Sequence, residues 1–176
     1  MIIHNVTQGS EQWHLLRASV DGTASEAPAM MGESKYQKRD DLLKTKATGI
    51  VKEVSSFTQG LFDSGHESEA AIRPFIESQI GEELYPVTGS DEIEELHLLA
   101  SFDGLTMMED KGFEHKLWNE KLAASVRARD LEPHYYWQLE QQLLISKAEF
   151  ILFATSDGTA EKCVWMEYYP VPGRAE

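Results

Sequence analysis

The first half of the chain carries its apolar residues at the spacing that places them on one side of a helix. Helices are predicted from Gly9 to Arg17, from Arg39 to about Lys52, and from Gly65 to Ile80. In the last of these, the apolar positions are Ala70, Ala71, Phe75 and Ile80.

Pro28 places the start of one more short helix. Proline is tolerated where its missing N–H would be unpaired anyway. With Ser25 as the N-cap, Pro28 falls at the third helical position, whereas a cap at Thr23 would make the proline break an intrahelical bond. Ser25 is therefore the predicted N-cap, and Gly32 is the predicted end.

After Gly81 the pattern changes to short apolar runs bounded by turn residues, which is typical of strands. A helix is predicted from Glu132 to Ser146, and Glu120 to Asp130 is predicted as a helix or a charged loop. The predicted strands are ELYPVTG, HLLASFDGLTMM, GFEHKLW, EFILFATSDG and KCVWMEYYPV. This order predicts an α/β or α+β fold with helices around a mixed sheet, and we expect residues 1–176 to form one domain.

The charge of the chain is unevenly distributed. The formal net charge is −14, which argues against binding of a polyanion. Six basic residues nevertheless fall between Lys35 and Lys52, so a basic face could still steer DNA, although a solvated helix surface has the same composition. With one cysteine, no secretion signal and no apolar run of membrane-spanning length, we expect a cytoplasmic protein without a membrane partner.

An aspartate, Asp103, precedes two copies of the pattern Glu-x-Lys. Hydrolysis of a phosphodiester by Mg²⁺ needs two or three carboxylates and is helped by a nearby lysine, but a charged hairpin has the same residues. Glu109 and its lysine fall in the predicted turn, whereas Glu114 and Lys116 fall inside the second strand and share one face of it. We therefore select Asp103, Glu114 and Lys116.

The predicted hairpin has a four-residue loop. In that register Met108 pairs with Phe113, and Asp103 lies on the face of Glu114 but several residues along the strand. We therefore expect the chain to bend at Gly104.

From about Gln12 to Val171 the chain resembles the lambda exonuclease and YqaJ-type viral recombinase family, within the restriction-endonuclease-like PD-(D/E)XK superfamily. Several blocks carry the resemblance in order, and any single block is unspecific. They are Trp13-x-x-x-Arg17, Thr23 to Glu26, Gly65-x-Glu67-x-Glu69, Ser101 to Gly104, Glu114-x-Lys116 and a helix opening with Gln138.

The resemblance implies site residues position by position. Asp103, Glu114 and the carbonyl of His115 match the metal ligands, with Glu67 as a further acid at the metal site. Lys116 matches the catalytic lysine and Gln138 a glutamine that faces the active centre. Arg17 and Ser25 match residues that hold the 5′-phosphate, although the spacing between them is longer here by about one residue.

The resemblance also implies an activity. It is a Mg²⁺-dependent 5′-to-3′ exonuclease, with two ions and Mn²⁺ as a substitute, that acts on double-stranded DNA ends. The implied partners are a ring-shaped homotrimer and a single-strand annealing protein, in a phage or prophage setting in a bacterial host. Family members usually continue into another helix, so this chain is expected to lack a C-terminal helix. The alternatives are an endonuclease of the same fold and a non-catalytic module whose carboxylates bind Ca²⁺.

Overall fold

A computed structural model describes residues 1–49 and 56–174 of the chain, with side chains from residue 64 onward in the second range. Seven strands form one mixed sheet, in the order β1-β3-β4-β5-β6-β7, with β2 paired to β4. The strands are β1 (Ile2–His4), β2 (Gly22–Thr23), β3 (Tyr85–Ile93), β4 (Leu96–Leu105), β5 (Lys111–Leu117), β6 (Phe150–Ser156) and β7 (Cys163–Tyr168).

Helices flank this sheet, as predicted for an α/β fold. They are α1 (Glu11–Ala18), α2 (Ala27–Met30), α3 (Arg39–Thr48), α4 (Ser56–Ile80), α5 (Glu120–Ala128) and α6 (Pro133–Ser146), and a 3₁₀ turn, Ala24–Glu26, precedes α2. Within the described ranges, none of the helices is long and apolar enough to cross a membrane.

The sheet separates two apolar cores. One core packs Leu139 and Leu143 of α6 against Phe153 of the sheet, and the other packs Ile72 and Ile76 of α4 against strand side chains of the opposite face. Because successive strand residues point to opposite faces, β6 is buried on both sides and contributes to both cores. The central strands are therefore held rigidly between α4 and α6.

Strand β4 changes its partner along one edge. It pairs in parallel with β2 at Leu98 and Leu99, and antiparallel with β5 only at Gly104 and Leu105. Between these two ladders, β4 and β5 are not paired with each other, although both strands continue. This edge is open at residues 100–103, and α6 and the 3₁₀ turn pack beside it.

Most predicted elements are confirmed. Helix α6 begins at Pro133, where a missing N–H costs nothing, and residues 120–128 are helical rather than a loop. Helix α3 ends at Gly49, which adopts a left-handed conformation with φ of 69°. The last part of the helix predicted to reach Lys52 lies outside the described residues.

The predicted cap at Ser25 is wrong. Thr23 is the N-cap of the 3₁₀ turn, and the Glu26 carboxylate accepts a hydrogen bond from the Thr23 N–H at 3.0 Å. Pro28 then lies at the start of α2, after the 3₁₀ turn, so it breaks no α-helical bond. The prediction failed because it assumed one continuous α-helix from the cap onward.

The predicted hairpin register is also wrong. Gly104 pairs with Phe113 and Leu105 with Gly112, and the Thr106 N–H donates to the Lys111 carbonyl at 3.0 Å, so the turn lies two residues earlier than predicted. The register between β3 and β4 shifts at Asp103 and Gly104, between the pairs Val87–Phe102 and Tyr85–Leu105, which is the position of the expected bend. A Cβ on Gly104 would come within 2.8 Å of the Leu84 Cβ, so glycine is required there by close packing.

Candidate active site

The open edge between β4 and β5 is bridged by the side chain of Asp103. Its Oδ2 accepts a hydrogen bond from the backbone N–H of His115 at 2.7 Å. In the observed register, Gly104 is opposite Phe113, so the next residues, Asp103 and Glu114, are neighbours where the ladder ends. The end of the β4–β5 ladder, at the shift in the β3–β4 register, therefore brings the two acids together.

Glu114 is held by the side chains around it. It is 3% exposed, and its Oε1 accepts from Lys116 Nζ at 2.5 Å and from Gln138 Nε2 at 2.7 Å. Lys116 also donates to Gln138 Oε1 at 3.1 Å. Glu114 and Lys116 share one face of β5, and Gln138 reaches that face from α6. The structure thus brings four of the predicted site residues into one group, namely Asp103, Glu114, Lys116 and Gln138.

The acids of this group exceed its cations. Burial raises the pKa of Asp103 well above its ordinary range, and the negative charges of Glu114 and Glu69 raise it further, while Lys116 and the His115 N–H oppose the rise. Burial acts to lower the pKa of Lys116, but the charges of Glu114 and Asp103 outweigh it and raise that pKa. Lys116 is therefore protonated at neutral pH, and the ionised form of Asp103 is disfavoured.

Helix α4 presents Glu69, rather than the predicted Glu67, to this group. Glu67 is exposed, whereas Glu69 is buried, pairs with Arg73 and acts electrostatically on Asp103. Residues two apart lie on nearly opposite sides of a helix. Ile72 and Ile76 form the buried stripe. Of the apolar positions assigned from the sequence, Phe75 and Ile80 pack against this stripe, whereas Ala70 and Ala71 are exposed.

The ring of His115 points away from the acids. Its Nε2 lies 2.8 Å from Ser156 Oγ on β6. Burial, reinforced by the charge of Lys116, lowers the pKa of His115 to about 4, so the ring is neutral at working pH. The ring is a packing element between β5 and β6, and only the backbone carbonyl of His115 remains a predicted ligand.

Arg17 and Ser25 are in contact. Arg17 Nη2 donates to Ser25 Oγ at 3.0 Å, and the guanidinium lies 4.5 Å from the centre of the Trp13 ring. Burial lowers the pKa of Arg17, and the charge of Glu26 opposes that shift. An arginine retains its charge under such a shift. The pair therefore offers a cation and a hydroxyl side by side.

The cation–π contact of Arg17 with Trp13, followed by a series of hydrogen bonds, connects this pair to the acids. Trp13 Nε1 donates to Ser101 Oγ at 2.9 Å, and the Ser101 carbonyl accepts from Gln142 Nε2 at 3.0 Å. Gln142 also donates to Glu114 Oε2 at 2.7 Å. In the sequence, Trp13 and Ser101 stand out only as members of the motifs that carry the family resemblance, and Gln142 was not predicted as a site residue. Its spacing of four from Gln138 places both on one face of α6.

The fold and site define an α/β protein with a mixed sheet between helices and two strand acids beside a lysine at an open edge. The chain belongs to the YqaJ-like viral recombinase domain family, whose model matches residues 12–149. The family and the fold together indicate a nuclease.

Solved structures agree on the fold. The alkaline exonuclease LHK-Exo from Laribacter hongkongensis is similar with a TM-score of 0.71 and 20% identity over 92% of this chain and 83% of that chain. The same exonuclease in complex with dAMP gives a TM-score of 0.72, again at 20% identity with 92% and 83% coverage. None of the curated proteins compared with the chain matches it.

Proposed function

We propose that this protein is a Mg²⁺-dependent 5′-to-3′ exonuclease that digests one strand of double-stranded DNA from its end and leaves a 3′ single strand. One observation carries the proposal: Glu114, in the group with Asp103 and Lys116, is connected through Gln142, Ser101 and Trp13 to Arg17, the cation that would hold a terminal phosphate. The proposed site of phosphodiester hydrolysis and the proposed site that binds the 5′-phosphate are thus connected to each other.

The residues present fit a hard cation such as Mg²⁺. The oxygens of Asp103 and Glu114, with the His115 carbonyl, would hold it, and Mg²⁺ favours few carboxylates and several waters. Burial, followed by the negative charges of Glu114 and Glu69, raises the pKa of Asp103, and a bound cation would favour the ionised carboxylate again. Within residues 1–49 and 56–174, no three acidic, histidine or cysteine side chains already converge to hold an ion, so water must complete the shell.

When bound, Mg²⁺ polarises the phosphate and activates water, with Mn²⁺ as a substitute and a second ion accommodated by the neighbouring acid. Glu69, rather than Glu67, is the proposed neighbouring acid because it is the one that acts on Asp103. The side-chain oxygens of Asp103, Glu114 and Glu69 can each be removed separately by mutation.

Lys116 has an electrostatic role in this proposal. Its raised pKa keeps it protonated at neutral and mildly alkaline pH, so it is a poor general base. It can orient the attacking water and stabilise charge that develops on the phosphate. Gln138 accepts from Lys116 and donates to Glu114, so it fixes the distance between the cation and the acid.

Arg17 and Ser25 would bind the 5′-phosphate. A guanidinium forms bidentate hydrogen bonds to phosphate oxygens, and Ser25 adds a hydroxyl donor next to it. Trp13 packs under the guanidinium, which limits its motion. An endonuclease has no need for such a grip, so the pair favours an exonuclease within the nuclease class.

The proposed assembly is a homotrimeric ring that passes its product to a single-strand annealing protein in a bacterial host cell. A ring is compatible with the net charge of −14, since only the wall of its channel must be basic to contact DNA. Light scattering after size-exclusion chromatography would measure the mass, and a monomer at working concentration would rule the ring out.

The test of the proposed function compares four substrates in Mg²⁺: linear duplexes with 5′-phosphate or 5′-hydroxyl ends, a nicked circle and a closed circle. Wild type should digest the phosphorylated linear duplex fastest and leave the closed circle intact. Arg17→Ala should lose the preference for phosphate, while Arg127→Ala, which removes an exposed arginine on α5, should keep it. Cutting of the closed circle would establish an endonuclease instead.

A further inference from the structure

Gln142 lies fully buried one helical turn after Gln138, with 0% of its surface exposed. Its Nε2 is 3.0 Å from the Ser101 carbonyl oxygen on β4 and 2.7 Å from Glu114 Oε2 on β5. A side-chain amide carries two N–H groups. Each of the two acceptors can therefore receive its own hydrogen bond from the same nitrogen.

The amide can be placed in only one orientation. If it were flipped, Oε1 would face a carbonyl oxygen and a carboxylate oxygen, and all three are acceptors. In the orientation present, Oε1 is buried without a hydrogen-bond partner among the described residues. An unpaired buried oxygen is unfavourable, so a residue chosen only to fill this space would be apolar.

The side-chain amide of Gln142 lies where β4 and β5 are no longer paired with each other, and a donor of two hydrogen bonds can bridge them there. Strands β4 and β5 are paired only at Gly104 and Leu105 of β4, and beyond them backbone hydrogen bonds no longer set the distance between the strands. Gln142 bridges that open edge from α6. The other oxygen of Glu114 is taken by Gln138 and Lys116, so Gln142 alone restrains Oε2 among the hydrogen bonds described here.

We propose that Gln142 is a positioning residue that holds Glu114 Oε2 and the β4 backbone at a fixed separation across the open edge, so that Glu114 is oriented for a divalent cation. This inference rests on the proposed metal-dependent nuclease. Glu114 is the residue that touches the cation, and Gln142 acts through it. Residues of this kind commonly change metal affinity or activity by about 10- to 100-fold when they are removed.

The test compares Gln142→Met with a matched control, Gln141→Met. Gln141 is the next residue on α6 and also donates to two backbone carbonyls, of Gly22 and Leu99, but it does not contact Glu114. Binding of Mn²⁺ in the absence of DNA is measured by electron paramagnetic resonance. The values of kcat and KM are measured on a 5′-phosphorylated duplex, and folding is checked by circular dichroism.

Gln142→Met should weaken Mn²⁺ binding and lower kcat by about 10- to 100-fold with an unchanged KM, while Gln141→Met should match wild type. Equal Mn²⁺ affinities in all three proteins, with wild type active, would overturn the role of Gln142 alone. A wild type that neither binds Mn²⁺ nor cuts would instead overturn the proposed function.

A second variant keeps the test valid if Gln142→Met does not fold. In Gln142→Glu, the new carboxyl donates a hydrogen bond only when protonated and repels Glu114 when ionised. Its activity relative to wild type should therefore fall as pH rises through the pKa of the new group. A ratio that stays constant with pH would overturn the proposal.

Discussion

Replacing Asp103 with asparagine should stabilise the metal-free protein and abolish its response to Mg²⁺. Asparagine is isosteric and its Oδ1 can still accept from the His115 N–H, which lies 2.7 Å from the present carboxylate. The substitution therefore removes charge with little change in packing. The removed charge is one that burial, Glu114 and Glu69 all disfavour, as the raised pKa shows.

The sign and size of the effect follow from linkage. The folded-state pKa of Asp103 is raised, so its stabilising contribution is complete below the unfolded pKa of about 3.9 and is lost as pH rises through the folded pKa. Each unit of elevation corresponds to about 1.4 kcal/mol. In a chain of this length each kcal/mol moves Tm by about 2–4 °C. The variant should melt higher than wild type at neutral pH and converge with it near pH 4.

Thermal melts in EDTA and in Mg²⁺, across pH, provide the assay. Saturation at about 100 times Kd stabilises a protein by about 2.7 kcal/mol, or about 5–10 °C here, and only wild type should show this gain. Asp157→Asn is the control of opposite sign, because hydrogen bonds from Thr159 lower the pKa of that exposed group. A variant that melts below wild type in EDTA, or one that still responds to Mg²⁺, would refute the reasoning.

Further substitutions test the roles proposed for the lysine and the other acids, with cleavage rate and DNA binding measured on linear duplexes. Lys116→Ala should lower kcat by about 10² or more with DNA binding retained; normal kcat with weak binding would make the lysine a phosphate contact. Glu69→Gln should reduce activity and Glu67→Gln should not, and the reverse result would restore the assignment made from sequence. Glu114→Gln should be inactive and Glu109→Gln active, since Glu109 lies in the turn; the opposite result would exchange the two motifs.

Strand and helix positions of the site were predictable because local patterns set them. The period of two places Glu114 and Lys116 on one face of β5, and Pro133 fixes the start of α6 and hence the direction of Gln138. These residues are adjacent in the structure because parallel pairing of β5 with β6 and packing of α6 bring the elements together. The predicted fold class is confirmed for the same reason.

The hairpin register depended on features that a pattern does not encode. Thr106 Oγ1 donates to Asp110 Oδ1 at 2.6 Å, and Glu109 adopts a left-handed conformation with φ of 59°. A non-glycine residue in that region is uncommon, so the turn was expected to include Gly112. The earlier position of the turn is what brings Asp103 level with Glu114.

Three other features needed the assembled structure. The cap at Thr23 depends on a 3₁₀ turn before α2, which proline rules for a single helix do not include. The inward face of α4 depends on which side packs on the sheet, and Ile72 and Ile76 decide it. Without that packing, Glu67 and Glu69 are equivalent charged positions. Gln142 has no local signature, because its role exists only where β4 and β5 separate.

The change of partner along β4 has a consequence for how the molecule folds. The bonds that join Gln142 to Ser101 and Glu114 span at most 41 residues of chain, whereas the Trp13 bond to Ser101 spans 88. Contacts of longer separation form later, since they close longer loops. The group of Asp103, Glu114 and Lys116 should therefore assemble first. The amino-terminal segment that carries Arg17 and β2 should pack beside it later. In pulse-labelling hydrogen exchange, the Thr23 amide should gain protection after those of β5 and β6, and simultaneous protection would contradict this order.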